Sequence, residues 1–323
     1  MKDYKAYIKY FEENLKKQKF DHHPSELYQP IEYTLSLPAK RIRPVLTLMA
    51  SEMFEGDIAI TLPQAIAIEL FHNFTLIHDD IMDNAPIRRG KKTVFKKWNS
   101  NIAILSGDTL FALAYQYVQL ADKDILPQIL NVFNKTAIEV CEGQQYDLNY
   151  EVSDCVNVDG YIEMIRLKTA VLFGASLKIG SLIGGASEED ALHLYDFGIN
   201  IGIGFQLKDD LLDTFGDENI FGKKPGGDIL ANKKTYLYIK AIELASEKDK
   251  EVLRNLYRTK SKKDEKVDAV KSIFTKLNIH EAAIKEIDKY YHKAIQALEK
   301  VNASVENKKK FLEIAQKMIN RQR

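Results

Sequence analysis

Two aspartate clusters of identical spacing, Asp79-Asp80-Ile81-Met82-Asp83 and Asp209-Asp210-Leu211-Leu212-Asp213, lie in separate apolar segments of helical periodicity. On an α-helix residues four apart stand one above the other, so Asp79 and Asp83 share a face, as do Asp209 and Asp213, with Asp80 and Asp210 on the flank. Two carboxylates about 6 Å apart repel by roughly 3 kcal/mol at an effective dielectric of about 20, so each carboxylate claw calls for cations. Oxygen-only ligands select a hard divalent ion, Mg²⁺ first, and Mg²⁺ prefers few carboxylates completed by phosphate oxygens. A single cluster of this kind would read as a solvated helix face. Here the flanks, Leu76-Ile77-His78 and Phe205-Gln206-Leu207 among them, are core-type sequence, and the pattern occurs twice. Metal binding is the better reading.

Basic residues stand where a polyanion would need them. Lys40, Arg41 and Arg43 fall between Pro38 and Pro44 near an expected helix start, and Arg88-Arg89-Gly90 follows the first claw in a loop. Guanidinium forks match phosphate oxygens bidentately, whereas ordinary surface ion pairs add little stability and do not explain the clustering. His72 precedes Asp79 by two turns and lies within about 20° of it on an ideal wheel, so it can face the same way. Residues 216–228 after the second claw are rich in glycine and lead to Lys233-Lys234-Thr235, a composition suited to a lid over charged substrates. Gly222-Lys223 is not a phosphate-binding P-loop, because the Gly-x-x-x-x-Gly-Lys-Ser/Thr pattern is missing.

The elements that must position these groups are helices. The chain has 323 residues, 45% of them hydrophobic, with few glycines and prolines. Apolar residues recur at three and four, as in Ile66, Leu70, Phe74, Ile77, Ile81, and strand-type alternation is nearly absent. Breaks at Pro38, 56–63, 84–93, 122–127, 153–160, 184–189 and 216–227 leave roughly ten helices. No Pro/Ser-rich linker interrupts them, so residues 1–323 read as one all-α domain, with 246–323 as an outer layer of more charged helices. Gly198, Gly202 and Gly204 before the second claw each cost up to about 1 kcal/mol in a helix, which implies that something approaches closely there.

Lys+Arg and Asp+Glu are equal at 46 each, so no global field recruits nucleic acid or an anionic membrane. Cys141 and Cys155 are too few for a disulfide framework and lack metal-ligand spacing; they read as small apolar residues in a reducing cytosol. No uncharged run reaches bilayer-spanning length, so a cytoplasmic protein without stable membrane insertion is expected.

Taken together these residues resemble the trans-isoprenyl diphosphate synthases, the family of farnesyl and geranylgeranyl diphosphate synthases. The resemblance runs from Lys40 to Thr235 and rests on Lys40-Arg41-Ile42-Arg43-Pro44, His72, both aspartate clusters, Arg88-Arg89-Gly90, Gly143-Gln144-Gln145-Tyr146-Asp147, Lys168-Thr169, Phe205-Gln206 and Gly222-Lys223 through Lys233. It implies an all-α homodimer whose subunits are helical bundles around a deep cavity, the two claws facing each other near its mouth. It further implies an allylic diphosphate held through Mg²⁺ by Asp79, Asp83 and Asp209, with Asp80, Gln144, Asp147, Asp210 and Asp213 acting through waters. Arg88, Lys168, Lys223 and Lys233 would bind substrate phosphates, and Lys40, Arg43, His72 and Arg89 would grip isopentenyl diphosphate. The Lys168 carbonyl, Thr169 and Gln206 would steady the allylic cation.

In this family the residue five before the first aspartate lies along the tail tunnel. Here it is Phe74, with Thr75 beside it and Phe71 a turn deeper, so the fifteen-carbon farnesyl product is expected over the twenty-carbon geranylgeranyl alternative. Two features depart from the family pattern. Pro38-Ala39 replaces the usual Gly-Gly, and the two-residue insertion common in the first motif of bacterial farnesyl synthases is missing. A class I terpene cyclase needs no isopentenyl clamp, and its Asn-Asp-x-x-Ser-x-x-x-Glu motif is not present. Head-to-head synthases fail on the same clamp. A di-iron bundle requires two Glu-x-x-His motifs, and only Glu69-Leu70-Phe71-His72 fits. A non-catalytic partner subunit would be expected to have lost a claw.

Overall fold

The computed structural model describes residues 1–153, 155–217, 225–258 and 264–321. They fold as expected into helices: α1 (Tyr4–Leu15), α2 (Ser25–Ser36), α3 (Ile42–Met53), α4 (Ile58–Met82), the short α5 (Val94–Lys97), α6 (Ser100–Val118), α7 (Leu126–Val152), α8 (Val158–Ile165), a π-helical turn (Arg166–Ala170), α9 (Val171–Ile183), α10 (Glu188–Phe215), α11 (Gly227–Leu230), α12 (Tyr236–Leu244), α13 (Glu247–Arg258), α14 (Asp264–Lys276), α15 (Ile279–Lys300) and α16 (Val305–Ile319). The described residues add a two-stranded hairpin, β1 (Ile87–Arg88) paired antiparallel with β2 (Lys91–Lys92).

Local chemistry sets several helix starts. Asp57 accepts from the Ala59 N–H to open α4, Asn99 from Ile102 to open α6, and Asn157 from Gly160 to open α8. Each side chain satisfies one of the orphan donors of a first turn.

Contacts divide the chain into two compact units, Met1–Asn134 with Ala175–Leu194, and Lys135–Gly174 with Tyr195–Arg323. In the first, α4 is the central helix and packs against α3 and α6. It is nearly apolar around its whole circumference because neighbours cover most of it, with Ile66, Ile68, Leu70 and Phe71 at 2% exposure or less. Among the described residues it is also the one helix long and apolar enough to cross a membrane, at a mean hydropathy of 1.2, and 61% of that window is buried inside the fold.

In the second unit α8, α12, α14 and α15 surround a core of Tyr161, Leu207, Leu211, Leu237, Phe274 and Ile287. The charged C-terminal helices are more than an outer layer. Leu253, Val270, Phe274, Ile279 and Ala283 from α13, α14 and α15 belong to this core, and only their opposite faces are solvated. Cys141 and Cys155 are both exposed, contrary to the expectation of small apolar packing residues.

Candidate active site

The first claw ends α4. Asp79 and Asp80 lie in its last turn and Asp83 caps it, the Asp83 N–H donating to the Asp79 carbonyl at 2.8 Å. Carboxylates at a helix C-terminus meet the negative end of the macrodipole, which increases the demand for a cation. Arg88 supplies one. Its Nε donates to Asp80 Oδ1 at 2.7 Å and its Nη2 to Asp79 Oδ2 at 3.2 Å. Asp80 is buried, and burial pushes its carboxyl up to about 6 against the pull of Arg88.

The hairpin turn explains how adjacent arginines reach different places. Arg89 and Gly90 both have positive φ, 51° and 73°, the pattern of a two-residue type I′ turn. Arg88 returns to the claw. Arg89 lines a small cavity with Tyr33, Asn73 and Lys92, and its buried Nη1 has no hydrogen-bond partner among the described residues. Arg43 Nη1 lies 3.3 Å from His72 Nε2. Burial first, then Arg43, Arg89, Arg88 and Arg41, hold the His72 imidazole well below its ordinary pKa, so the ring is neutral at pH 7. These residues of the first unit form a cation-rich recess suited to a diphosphate.

Of the three basic residues in the 40–43 turn, Arg41 serves another purpose. In a left-handed conformation it starts α3, with Nε on Glu12 Oε1 at 2.7 Å, Nη1 on Glu69 Oε1 and Nη2 on the Leu35 carbonyl at 2.6 Å. Glu69 also accepts from Asn73 Nδ2 at 2.9 Å. Glu69 is therefore the counter-ion of Arg41. Lys40 is exposed.

Phe74 stacks on Phe111 with ring centroids 5.0 Å apart and meets His78 at 4.8 Å. Phe71 is buried between Phe74, Phe111 and Phe133 at 5.4 to 5.7 Å. Thr75 donates to the His72 carbonyl at 2.8 Å. The three chain-length candidates thus adjoin one aromatic cluster on α4, α6 and α7.

In the second unit Lys168 and Thr169 lie in the π-helical turn, a local widening that frees backbone carbonyls from the regular ladder. Gly143 on α7 permits it, since a Cβ there would fall 2.2 Å from the Lys168 amide nitrogen. Gly143→Ala is expected to destabilise this unit by about 1–3 kcal/mol through overpacking against backbone that cannot yield. Thermal unfolding and turnover of the variant check this, and an unchanged melting temperature would refute it. Gly202 has a similar reason, as its Cβ would lie 2.6 Å from the Ala170 Cα. Helix packing is what approaches there.

A cavity of about 110 Å³ is lined by Asp147, Tyr161, Lys168, Thr169, Gln206, Asp210, Asp228 and Lys233, together with neighbouring residues. Lys168 Nζ donates to Asp147 Oδ2 at 2.5 Å, and Thr169 Oγ1 to Gln206 Oε1 at 3.2 Å. Asp213 holds the start of α11, accepting the Asp228 N–H on Oδ2 at 2.8 Å. Asp228 escaped the sequence reading. Burial and then the neighbouring Asp213 push its carboxyl up to about 7, with Lys233 pulling the other way. The signal was present in Gly226-Gly227-Asp228 followed five residues later by lysine. Gln144 Nε2 is buried with no hydrogen-bond partner among the described residues. Asp209 pairs with Arg321, whose guanidinium lies over the Phe205 ring, 3.7 Å from its centroid. Lys223 and Arg323 fall outside the described residues.

Both claws present oxygen donors alone, at the ends of long helices, which fits a hard divalent cation. Among the described residues no three acidic, imidazole or thiol side chains converge into a ready cage. Arg88 and Arg321 meanwhile offset part of the carboxylate charge.

The sequence model of the polyprenyl synthetase family matches residues 24–276. The chain is 43% identical over 222 residues to the geranylgeranyl diphosphate synthase of Methanosarcina mazei, 68% of each chain, and 40% identical over 250 residues to the short chain isoprenyl diphosphate synthase of Methanothermobacter thermautotrophicus, 77% of each. A crystal structure of a geranylgeranyl pyrophosphate synthase superposes with a TM-score of 0.95 at 43% identity, covering 99% of both chains. Paired aspartate claws, a cation recess around His72 and these likenesses agree: the chain belongs to the polyprenyl synthetase family.

Proposed function

We propose that this chain is a short-chain trans-prenyltransferase that condenses isopentenyl diphosphate head-to-tail with an allylic diphosphate, with geranylgeranyl diphosphate as its main product. The observation that carries the reading is the division of labour among the cations. Arg88 lies on the first claw, while Arg43, Arg89 and neutral His72 form a separate recess. Two diphosphates need two such places.

Asp79, Asp83 and Asp209 would hold Mg²⁺, which when bound would supply Lewis-acid stabilisation of the leaving diphosphate oxygens. Arg88, Lys168 and Lys233 direct positive charge at those same oxygens, where negative charge grows only as the allylic carbon–oxygen bond breaks. Gln144 and Asp147 would bind such ions through water. The bonding pair leaves with diphosphate. The Lys168 carbonyl, Thr169 and Gln206 offer oxygen dipoles to the carbocation without a strong nucleophile, and the apolar side chains beside them, Met164 and Ile165, keep water away. Arg43, Arg89, His72 and Lys40 orient isopentenyl diphosphate so that its alkene attacks the cation. The departed diphosphate takes the proton that restores the double bond. The two units together form one synthase domain in this reading. Exposed Ile104 and Leu105 on α6, 42% and 57% accessible, support assembly as a homodimer.

The relatives named for the twenty-carbon product outweigh the farnesyl expectation that rested on Phe74 alone. Phe74 lies against Phe111, and Phe71 with Phe133 lies deeper in the same cluster. We place the chain-length stop in that deeper part. Purified protein given Mg²⁺, isopentenyl diphosphate and dimethylallyl, geranyl or farnesyl diphosphate should yield the twenty-carbon product by mass spectrometry, and Phe71→Ala should extend it by at least one five-carbon unit. A fifteen-carbon end point would return the stop to Phe74. No elongation from any starter would reject prenyl transfer.

A further inference from the structure

We infer that Tyr161 and Asp210 are positioning residues that fix which way the Gln206 side-chain amide points. The inference rests on the prenyl-transfer reading, in which the Gln206 oxygen faces the developing cation. Four side chains form one hydrogen-bonded chain along the cavity wall. Thr169 Oγ1 donates to Gln206 Oε1 at 3.2 Å, Gln206 Nε2 donates to Asp210 Oδ1 at 3.2 Å, and Tyr161 Oη donates to Asp210 Oδ2 at 2.5 Å. Asp210 is 3% exposed and Tyr161 4%.

An amide has two nearly isosteric ends of opposite polarity, and its surroundings decide between them. Asp210 accepts on both oxygens, from Tyr161 on Oδ2 and from Gln206 Nε2 on Oδ1, so it meets the nitrogen end of Gln206. The oxygen end is thereby turned to Thr169. Rotating the amide by 180° would set oxygen against oxygen at Asp210 and place an N–H dipole where a carbocation is to form. Asp210 holds this orientation only while its own rotamer is fixed, and the Tyr161 hydroxyl fixes it from the opposite side. The Tyr161 ring belongs to the core, where phenylalanine would fill the same space. Its hydroxyl is what packing does not require. Tyr161 also stands on α8, which leads directly into the turn bearing Thr169, so the hydroxyl donors at the two ends of this network are carried by one continuous stretch of chain.

Tyr161→Phe should lower kcat about tenfold with both substrate KM values unchanged, because the Gln206 oxygen that this hydrogen bond orients meets positive charge only in the transition state. Asp210→Asn presents an N–H to Gln206, favours the reversed amide and should lower kcat further. Adding Gln206→Glu to Asp210→Asn exchanges acid and amide, returns an oxygen to Thr169 and should recover at least tenfold of the loss. A merely structural role predicts no such rescue. Orientation is also read without turnover, by NMR of the Gln206 side-chain amide protons in selectively labelled protein. One slowly exchanging pair is expected in the wild type, and faster exchange in Tyr161→Phe. Unchanged exchange, wild-type kcat in Tyr161→Phe, or a double variant no better than Asp210→Asn overturns the inference. Altered exchange in a protein whose wild type forms no prenyl product would reject the prenyl-transfer reading and leave the orientation standing.

Discussion

Asp79→Ala and Asp209→Ala should each reduce turnover by about three orders of magnitude while leaving a folded protein. In the proposed reaction each removes one oxygen donor from a claw that would hold a cation on the leaving diphosphate, so the loss would fall on the transition state rather than on substrate affinity. The fold tolerates both changes for a specific reason. Asp79 and Asp209 side chains keep 19% and 37% of their surface in water, and their basic partners have other acceptors, Asp80 for Arg88 and the Phe205 carbonyl for Arg321. Deleting one of several crowded carboxylates also relieves repulsion. Steady-state assays across a Mg²⁺ titration, with melting temperatures alongside, make the test. Turnover within tenfold of wild type in either variant would remove that aspartate from the metal site.

Arg41→Ala should destabilise the protein by about 3–5 kcal/mol, the largest stability effect expected of a single basic residue here. Arg41 is 3% exposed and Glu69 1%, so the substitution leaves a buried carboxylate with only the Asn73 amide as a side-chain donor. Burial alone would lower the Arg41 pKa, but Glu69 and Glu12 more than offset it and raise it overall, as expected for a tightly paired guanidinium. Lysine cannot replace it, because three acceptors in different directions need the guanidinium fork. Adding Glu69→Gln should restore much of the loss by removing the orphaned charge. Urea midpoints of the three variants decide the matter. A loss below about 1 kcal/mol for Arg41→Ala would show that the pair is solvated after all.

Local features were legible in the sequence and long-range ones were not. The claws could be read because four-residue spacing is a property of a helix by itself, and Gly, Pro and Asn placed most helix ends. The cation recess was half legible. His72 and Arg43 come from segments 29 residues apart, and family likeness joined them where periodicity could not. The fate of Arg41 depended on Glu12 and Glu69, and nothing near it in the chain announces either. A buried acid in an apolar helix, Glu69, was the available clue. The π-helical turn was invisible because its cause, the close approach of Gly143, lies on another helix. Tyr161 and Asp228 looked like ordinary core and loop residues until the fold set them beside Asp210 and Asp213. Phe74 was read from a family rule about one position, and the ring cluster it shares with Phe71 and Phe111 could not be seen from that position.

The hairpin turn at Arg89-Gly90 has a consequence for how affinity can be adjusted. Two neighbouring side chains leave one tight turn for different anion environments, Arg88 for the aspartates that end α4 and Arg89 for the recess beside Asn73. Any change that tilts this turn moves both guanidinium groups at once. In the proposed reaction, grip on the electrophilic and on the nucleophilic diphosphate would therefore be mechanically linked through two residues of backbone, and selection acting on one substrate through this loop would act on the other.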